Sequence, residues 1–236
     1  HSDSRKTYGS PRVHAKLRKM GIRCNKKRVA RLMRMHNIRG KRRGRRRVKT
    51  TDSRHSFPVA PNRLNRQFEA DAPNRKWVTD ITYIPTDQGW LYLAAIVDLF
   101  SRRVVGWSMA STMHGSLVRN ALRMALADRR PQAGLLHHSD RGSQYASFVY
   151  QSLLSDQQMV VSMSRTANCY DNAAMESFFG TLKCELVHDR HNHTLTEARQ
   201  DIFEYIEVFY NRIRLHSSLG YLSPVEYEQL RQVCLS

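Results

Sequence analysis

Three stretches near the middle of the chain carry apolar residues in strand-like fashion: residues 76–84 (KWVTDITYI), 89–98 (GWLYLAAIVD) and 103–109 (RVVGWSM). They are rich in β-branched and aromatic residues, and the first two are joined by Pro85-Thr86-Asp87-Gln88-Gly89. Connections this short predict an antiparallel meander. Apolar spacing then turns helical over 117–127, ahead of Pro131 and Gly134. Residues 135–138 and 159–162 read as two further short strands, separated by a helix over 145–154. Residues 171–187 and 196–215 read as helices. The last carries a stripe of Ile202, Tyr205, Ile206, Phe209, Tyr210 and Ile213, capped by a Thr194–Glu197 box or by Thr196 alone. The order βββ-α-β-α-β-α-α, with right-handed crossovers to the later strands, predicts an α/β fold: a mixed five-stranded sheet with helices on both faces.

The first fifth of the chain differs. Ser10 caps a helix with Pro11 at its first position, Val13, Leu17 and Met20 recur at helical spacing, and Gly21 supplies the stop. Asn25 caps a second helix with Val29, Leu32, Met33 and His36 on one face and Lys27, Arg28, Arg31 and Arg34 on the other. Helix, Gly-containing turn and basic helix form a helix-turn-helix pattern. Residues 41–47 (KRRGRRR) follow, and self-repulsion keeps Arg42, Arg43, Arg45, Arg46 and Arg47 extended until phosphates neutralise them. Residues 51–70 read as a linker ending in a short helical stretch. The expected organisation is a basic DNA-binding segment (1–50), a linker (51–70) and a catalytic domain with C-terminal helices (71–236).

Charge sharpens this division. The chain has 236 residues, with 39 Lys+Arg against 20 Asp+Glu, net +19. Residues 1–50 hold 20 Lys/Arg and only Asp3, so 20 − 1 = +19; the rest hold 19 of each sign. Such a segment seeks a polyanion. A hydrophobic fraction of 41% excludes a wholly disordered chain. No apolar run approaches a membrane span, no leader pattern is visible, and the chain opens on His1, as a fragment would. Cys24, Cys169, Cys184 and Cys234 are scattered, as expected of separate thiols in a reducing cytosol.

Three acids stand out by position. Asp80 lies mid-strand, where a carboxylate is costly unless paired or metal-bound. Asp140 ends the strand that finishes His137-His138-Ser139, where ligands collect in open sheets. Glu176 lies one turn into a helix, sharing a face with Asn172, Phe179 and Lys183. Taken singly, Asp140 also suits a turn and Glu176 a solvated face. Together they can act as hard oxygen ligands for Mg²⁺ or Mn²⁺. Two such ions about 3.5–4 Å apart suit in-line displacement at phosphorus. With no P-loop, no G-x-S-x-G and no suitably spaced Cys, metal-ion phosphoryl transfer on nucleic acid is the chemistry that remains. A DNA-binding protein that occupies ends without cutting is the reading from another class.

The lesser features have simpler expectations. His188, His191 and His193 belong to a solvated loop, and Asp98 to a turn. Trp77, Trp90 and Trp107 pack in the meander, and Phe178-Phe179 anchors the Glu176 helix to the sheet. His137 and His138 are strand-end residues that hydrogen-bond near the site.

The runs Trp77-Val-Thr-Asp80-Ile-Thr-Tyr, His138-Ser-Asp140-Arg-Gly-Ser-Gln-Tyr145 and Asn168-Cys-Tyr-Asp-Asn172-Ala-Ala-Met-Glu176-Ser-Phe-Phe resemble the DDE signature of retroviral-integrase-like transposases. The closest group is that of bacterial insertion-sequence transposases made from two reading frames (orfB-type). Asp140 and Glu176 are separated by 35 residues, the spacing of that group, and Lys183 stands seven after Glu176. The stretch 210–224 and the Tyr8-Gly-Ser-Pro-Arg start resemble the group as well, so the likeness covers nearly the whole chain. It implies a ribonuclease-H-like fold and catalytic, metal-binding Asp80, Asp140 and Glu176 with two Mg²⁺ ions, Mn²⁺ substituting. It further implies strand cleavage at element ends and direct transesterification by the freed 3′-OH. DNA contacts are then expected from Lys183, Asn172, Arg141 and the basic residues of the first fifth, in a homodimer or higher multimer in the bacterial cytoplasm, associated with the nucleoid. The His-His-Cys-Cys spacing of the retroviral zinc-binding domain does not occur.

Overall fold

The structure, a computed structural model, describes residues 1–41, 55–165, 169–187 and 194–233. Its strands are β1 (Lys76–Thr86), β2 (Gly89–Asp98), β3 (Val104–Ala110), β4 (Leu136–Ser139) and β5 (Val160–Met163). They form one sheet in the order β3-β2-β1-β4-β5. β1–β2 and β2–β3 are antiparallel, as their short connections require. β1–β4 and β4–β5 are parallel, reached through helices. β4 pairs β1 only over Lys76–Val78, so Pro85, whose missing N–H would break an inner ladder, lies where β1 has a neighbour on one side only.

Period-two alternation on β1 and β2 feeds a core on each face. Trp77, Ala94 and Ile96 pack beneath α3 (Gly115–Arg129), α4 (Ser143–Ala146) and α5 (Phe148–Asp156), with Leu122, Tyr145 and Tyr150. Val78, Leu91, Leu93 and Ala95 pack beneath α6 (Ala173–Glu185), α7 (Leu195–Phe203) and a π-helical continuation, Glu204–Tyr210. Gly106 sets the α3–β3 approach, since a Cβ there would meet the Ala121 carbonyl and stand 2.7 Å from Ala125 Cβ. The Thr194–Glu197 capping box opens α7 as its sequence predicts.

Several expectations need correction. The single helix predicted over 145–154 is broken at Ser147, which is extended (φ −62°, ψ 142°). The predicted helix 196–215 is α-helical only to Phe203, and Ile213 lies exposed, outside the buried stripe. A further helix, α8 (Pro224–Val233), carries the signal that predicts it: Ser223 Oγ accepts from Glu226 N–H while Glu226 accepts from Ser223 N–H, a capping box. Trp90 is exposed, set edge-on to Tyr83 at the hairpin end, rather than packed within the meander. Residues 55–70 contain no helix. They run as a strap whose Leu64 is buried and whose Arg63 and Leu64 N–H groups donate to Ser162 Oγ on β5.

The N-terminal pair is α1 (Ser10–Lys19) and α2 (Lys26–Met35). Gly9, not Ser10, is the N-cap of α1, and Pro11 takes the second position. Gly21 (φ +77°) closes α1 in a Schellman motif, with Ile22 N–H bonding Leu17 C=O and Gly21 N–H bonding Arg18 C=O, both at 3.0 Å. Asn25 Oδ1 caps α2 through Lys27 N–H. Val29 and Met33 are buried, whereas Leu32 and His36 are exposed, so the apolar face is narrower than its periodicity suggests. No described helix is long and apolar enough to cross a membrane.

Candidate active site

Asp80 stands mid-β1 opposite Ala95 of β2. The parallel register explains its neighbour. Val78 pairs with His138, so continuing both chains by two residues brings Asp140 alongside Asp80, on the same face of the pleat. Gly142 N–H donates to Asp140 Oδ1 at 2.9 Å in an Asx turn that directs the carboxylate. Glu176 comes from the first turn of α6. Met175, Phe178, Phe179 and Leu182 bury that helix against the sheet, so the expected Phe178-Phe179 anchor is present. Asn172, which immediately precedes the helix, donates from Nδ2 to Thr79 C=O (3.2 Å), tying α6 to β1 one residue from Asp80.

The three acids act on one another. Burial, then the nearby Asp140 carboxylate, with a smaller push from Glu176, raises the Asp80 carboxyl well above its ordinary range. The Ile81 N–H, which bonds Asp80 Oδ1 at 2.7 Å, and the Lys183 ammonium oppose that rise. Lys183 lies two turns along α6 from Glu176, 4.7 Å above the Tyr83 ring, and burial lowers its pKa against the pull of Asp80. Among the described residues no three His, Cys, Asp or Glu side chains are gathered closely enough to form a ready-made cage for an ion. The site is an open set of hard oxygen donors under mutual repulsion, chemistry that suits a divalent cation of the Mg²⁺ type.

Two supporting residues escaped the sequence reading. Tyr145, fully buried, meets Thr79 Oγ1 at 3.2 Å and lies close enough to Asp80 and Asp140 for both to raise its pKa, after burial and Tyr150. Asp171, whose side chain is buried, accepts from Asn62, Arg66 and Arg165, including the Arg165 backbone N–H. Arg165 above all holds its carboxyl well below the usual range. This clamp joins the strap, the chain after β5 and the turn before α6. No local pattern around Asp171 signals it, because its partners Asn62 and Arg66 lie more than a hundred residues away.

The remaining candidates are dispersed. Arg141 is tied into the structure, Nε donating to Ser164 C=O (2.6 Å) while its own carbonyl meets His55 Nε2. Lys27, Arg28, Arg31 and Arg34 line the exposed side of α2. Arg42, Arg43, Arg45, Arg46 and Arg47, like His188, His191 and His193, lie outside the described residues. His137 and His138 bond Tyr150, Ser162 and Ser164 rather than the acids. Asp98 is fully buried at the other end of β1, opposite Trp77, where it accepts from Asn74 and Phe100 N–H groups as a turn residue does.

Comparison with known proteins gives this arrangement a family. The integrase core domain matches residues 70–169, a second integrase core domain family matches 176–231, and an HTH-like domain matches 1–46. The fold is similar to that of a chain in the simian T-cell lymphotropic virus intasome in complex with PP2A regulatory subunit B56 gamma. That match has a TM-score of 0.57 at 17% identity, over 91% of this chain and 69% of that one. It is similar also to the HTLV-2 integrase catalytic core in complex with magnesium, with a TM-score of 0.52 at 17% identity, over 67% of this chain and 99% of that one. An integrase-type, ribonuclease-H-like core preceded by an HTH-like unit is therefore the class of protein defined here.

Closer relatives are bacterial. The transposase for insertion sequence element IS904 of Lactococcus lactis is 47% identical over 94% of this chain and 87% of its own length. Transposase InsF for IS3A of Escherichia coli is 44% identical over 95% and 78%. A 31 kDa protein of insertion element IS600 from Shigella sonnei is 48% identical over 97% and 84%. The chain belongs to this family of insertion-sequence transposases.

Proposed function

We propose that this chain cuts DNA strands at the ends of its insertion element and joins them to a target, as a DDE-type polynucleotidyl transferase with Asp80, Asp140 and Glu176 as the catalytic, metal-holding acids. The observation that carries the reading is the register between β1 and β4, which sets Asp140 beside Asp80 while Glu176 and Lys183 act on the same carboxyl. The three acids would hold two Mg²⁺ ions, Mn²⁺ substituting, and bound metal would supply charge neutralisation at the scissile phosphate and a deprotonated attacking oxygen. Lys183 places a positive charge beside the acids to hold a phosphate oxygen. Asn172 is a DNA contact by family resemblance alone; in the fold it is buried, with Nδ2 given to Thr79 C=O, and so would act by holding α6 beside β1. Arg141 and the exposed bases of α2, with Arg42, Arg43, Arg45, Arg46 and Arg47, would contact phosphates. We read residues 1–50 as the DNA-binding segment, 51–70 as its connection and 71–236 as the catalytic unit. The working assembly is a dimer or higher multimer on paired ends, in the cytoplasm at the nucleoid.

Glu176→Gln keeps the shape of the side chain and removes its charge. Strand cleavage and strand transfer on duplexes carrying the element's terminal repeat, with Mg²⁺, are expected to fall about a hundredfold or more. Undiminished strand transfer by this variant refutes the assignment.

A further inference from the structure

The two-helix N-terminal unit is pinned near both of its ends, and one residue, Glu185, is met from each side. On the entry side, Tyr8 OH accepts from Leu215 N–H (2.7 Å) and donates to Ile213 C=O (3.3 Å). Arg12 Nε donates to Leu215 C=O, and Arg12 Nη1 stands 3.8 Å from Glu185 Oε1. On the exit side, the chain leaving α2 folds back over the entry: Lys41 N–H bonds Thr7 C=O, and a Cβ on Gly40 would lie 2.6 Å from Gly9 Cα. Lys41 Nζ then donates to the Glu185 carbonyl at 2.8 Å. The Glu185 carboxylate itself is buried and held by Arg214 through Nε and Nη2 (2.8 and 2.7 Å) and by Tyr205 OH (2.8 Å).

Glu185 is the last residue of α6, nine residues and roughly 13 Å along the same helix from Glu176. One helix thus carries a candidate catalytic acid near its start and grips the basic helical pair at its end. A buried ion pair is a poor way to add stability, because desolvation offsets most of the attraction. It is better suited to fixing one relative placement of two parts.

We propose that Glu185 is a positioning residue for cleavage: through Arg214, Arg12 and Lys41 it holds α1 and α2 in register with the acids, so that the seam sets which phosphate is cut. The inference rests on the DNA-cleaving reading above. DNA held by Lys27, Arg28, Arg31 and Arg34 on α2 would then enter the site at a fixed offset.

The test uses the whole chain. The paired substitution Glu185→Met with Arg214→Met, made together with Lys41→Met, replaces the charges with apolar side chains of similar length. It removes the carboxylate's contacts with Arg12, Arg214 and Tyr205 and the Lys41 bond to the Glu185 carbonyl. Of the contacts to this seam, it leaves the Tyr8 and Arg12 bonds to the backbone of residues 213–215. Gly40→Ala loosens the exit side without touching a charge. Spin labels at the exposed Met35 on α2 and Met124 on α3, in a background without the four cysteines, report the placement directly and need no DNA. The expected result is a narrow distance distribution in the parent and a broad one in both variants. A distribution that stays narrow in the triple variant overturns the inference, whatever the protein does to DNA. Mapping the cut on a labelled duplex bearing the element's terminal repeat adds the functional arm. The parent is expected to cut at one phosphate and the variants at several neighbouring ones, with total cleavage little changed. Broad distances with an unmoved cut overturn the link to cleavage. Absence of any Mg²⁺-dependent cut by the parent refutes the DNA-cleaving reading and, with it, the assignment of the cut position to this seam.

Discussion

Asn211 is the clearest place to test how the helical layer supports the sheet. It follows the π-helical turn and is buried, 3% exposed, as is Val104 on the edge strand β3. Its Oδ1 accepts from Val104 N–H and its Nδ2 donates to Val104 C=O, both at 3.0 Å, so one amide side chain mimics a missing neighbouring strand. Asn211→Ala deletes both bonds and leaves two backbone groups buried without partners. Each such group costs about 1–3 kcal/mol, which puts the loss of two at about 2–6 kcal/mol, with the lower end applying if water enters the gap. Urea unfolding followed by circular dichroism gives the change in free energy at constant m-value, and hydrogen exchange at the Val104 amide reports the local effect. Asn211→Asp retains the acceptor and loses the donor, so Val104 N–H is expected to stay protected longer than in the alanine variant. A change below about 0.5 kcal/mol, with Val104 exchange unaltered, would refute the reasoning, since that is the range of ordinary surface substitutions.

Other expectations are independent of that one. Gly106→Ala drives a Cβ into the Ala121 carbonyl and Ala125, and is expected to cost about 1–3 kcal/mol in a thermal melt. His137 is buried against Tyr150 OH and pushed down to about 3 by burial, so it stays neutral in the fold while the unfolded chain takes up a proton below about 6.5. Its contribution is therefore complete above that pH and falls as the pH drops toward 3. The stability difference between the parent and His137→Gln should shrink by about 2 kcal/mol between pH 7 and pH 5, and a pH-independent difference would contradict the assignment. Replacing Lys27, Arg28, Arg31 and Arg34 with Gln is expected to flatten the slope of log K against log salt by up to about 0.9 for each phosphate no longer neutralised; an unchanged slope removes α2 from the interface. Removing divalent metal with a chelator should abolish cleavage while leaving DNA retention measurable, and full activity without metal would exclude the proposed site.

Much of this is legible in the sequence. The meander strands follow from alternation, and the acids stand out because a strand centre and a strand end are poor places for idle carboxylates. The Gly21 stop and the Asn25 cap place the basic helices because their chemistry is local. What stays hidden is chemistry that joins distant residues. The strap over 55–70 has almost no apolar pattern; Leu64, with Ala60, Phe68 and Ala70 at the core edges, and bonds to Ser162 and Asp171 hold it. Tyr8, Arg12 and Lys41 read as members of a detachable basic arm, yet Tyr8 is buried in the same core as Phe178 and Tyr205. Deleting residues 1–50 would therefore open that core, which makes point neutralisation on α2 the cleaner probe of DNA binding. The break at Ser147 is masked because Ala146, Tyr150, Leu153 and Leu154 keep a helical apolar spacing through it. Helix α8 is masked because its Ser-Pro-x-Glu start follows a long apolar stripe that is the stronger signal.

The assembly of the acids from separate parts of the chain has a consequence for synthesis. Asp80 arrives early and with its meander partners, but Glu176 comes 96 residues later on a helix whose buried face is covered by residues 195–210. A chain emerging from the ribosome thus cannot hold Glu176 in place until nearly all of it has been made. On the proposed reading, cutting then needs residues 195–210 as much as the acids themselves, and a product that stops before them would carry Asp80 and Asp140 without a seated Glu176.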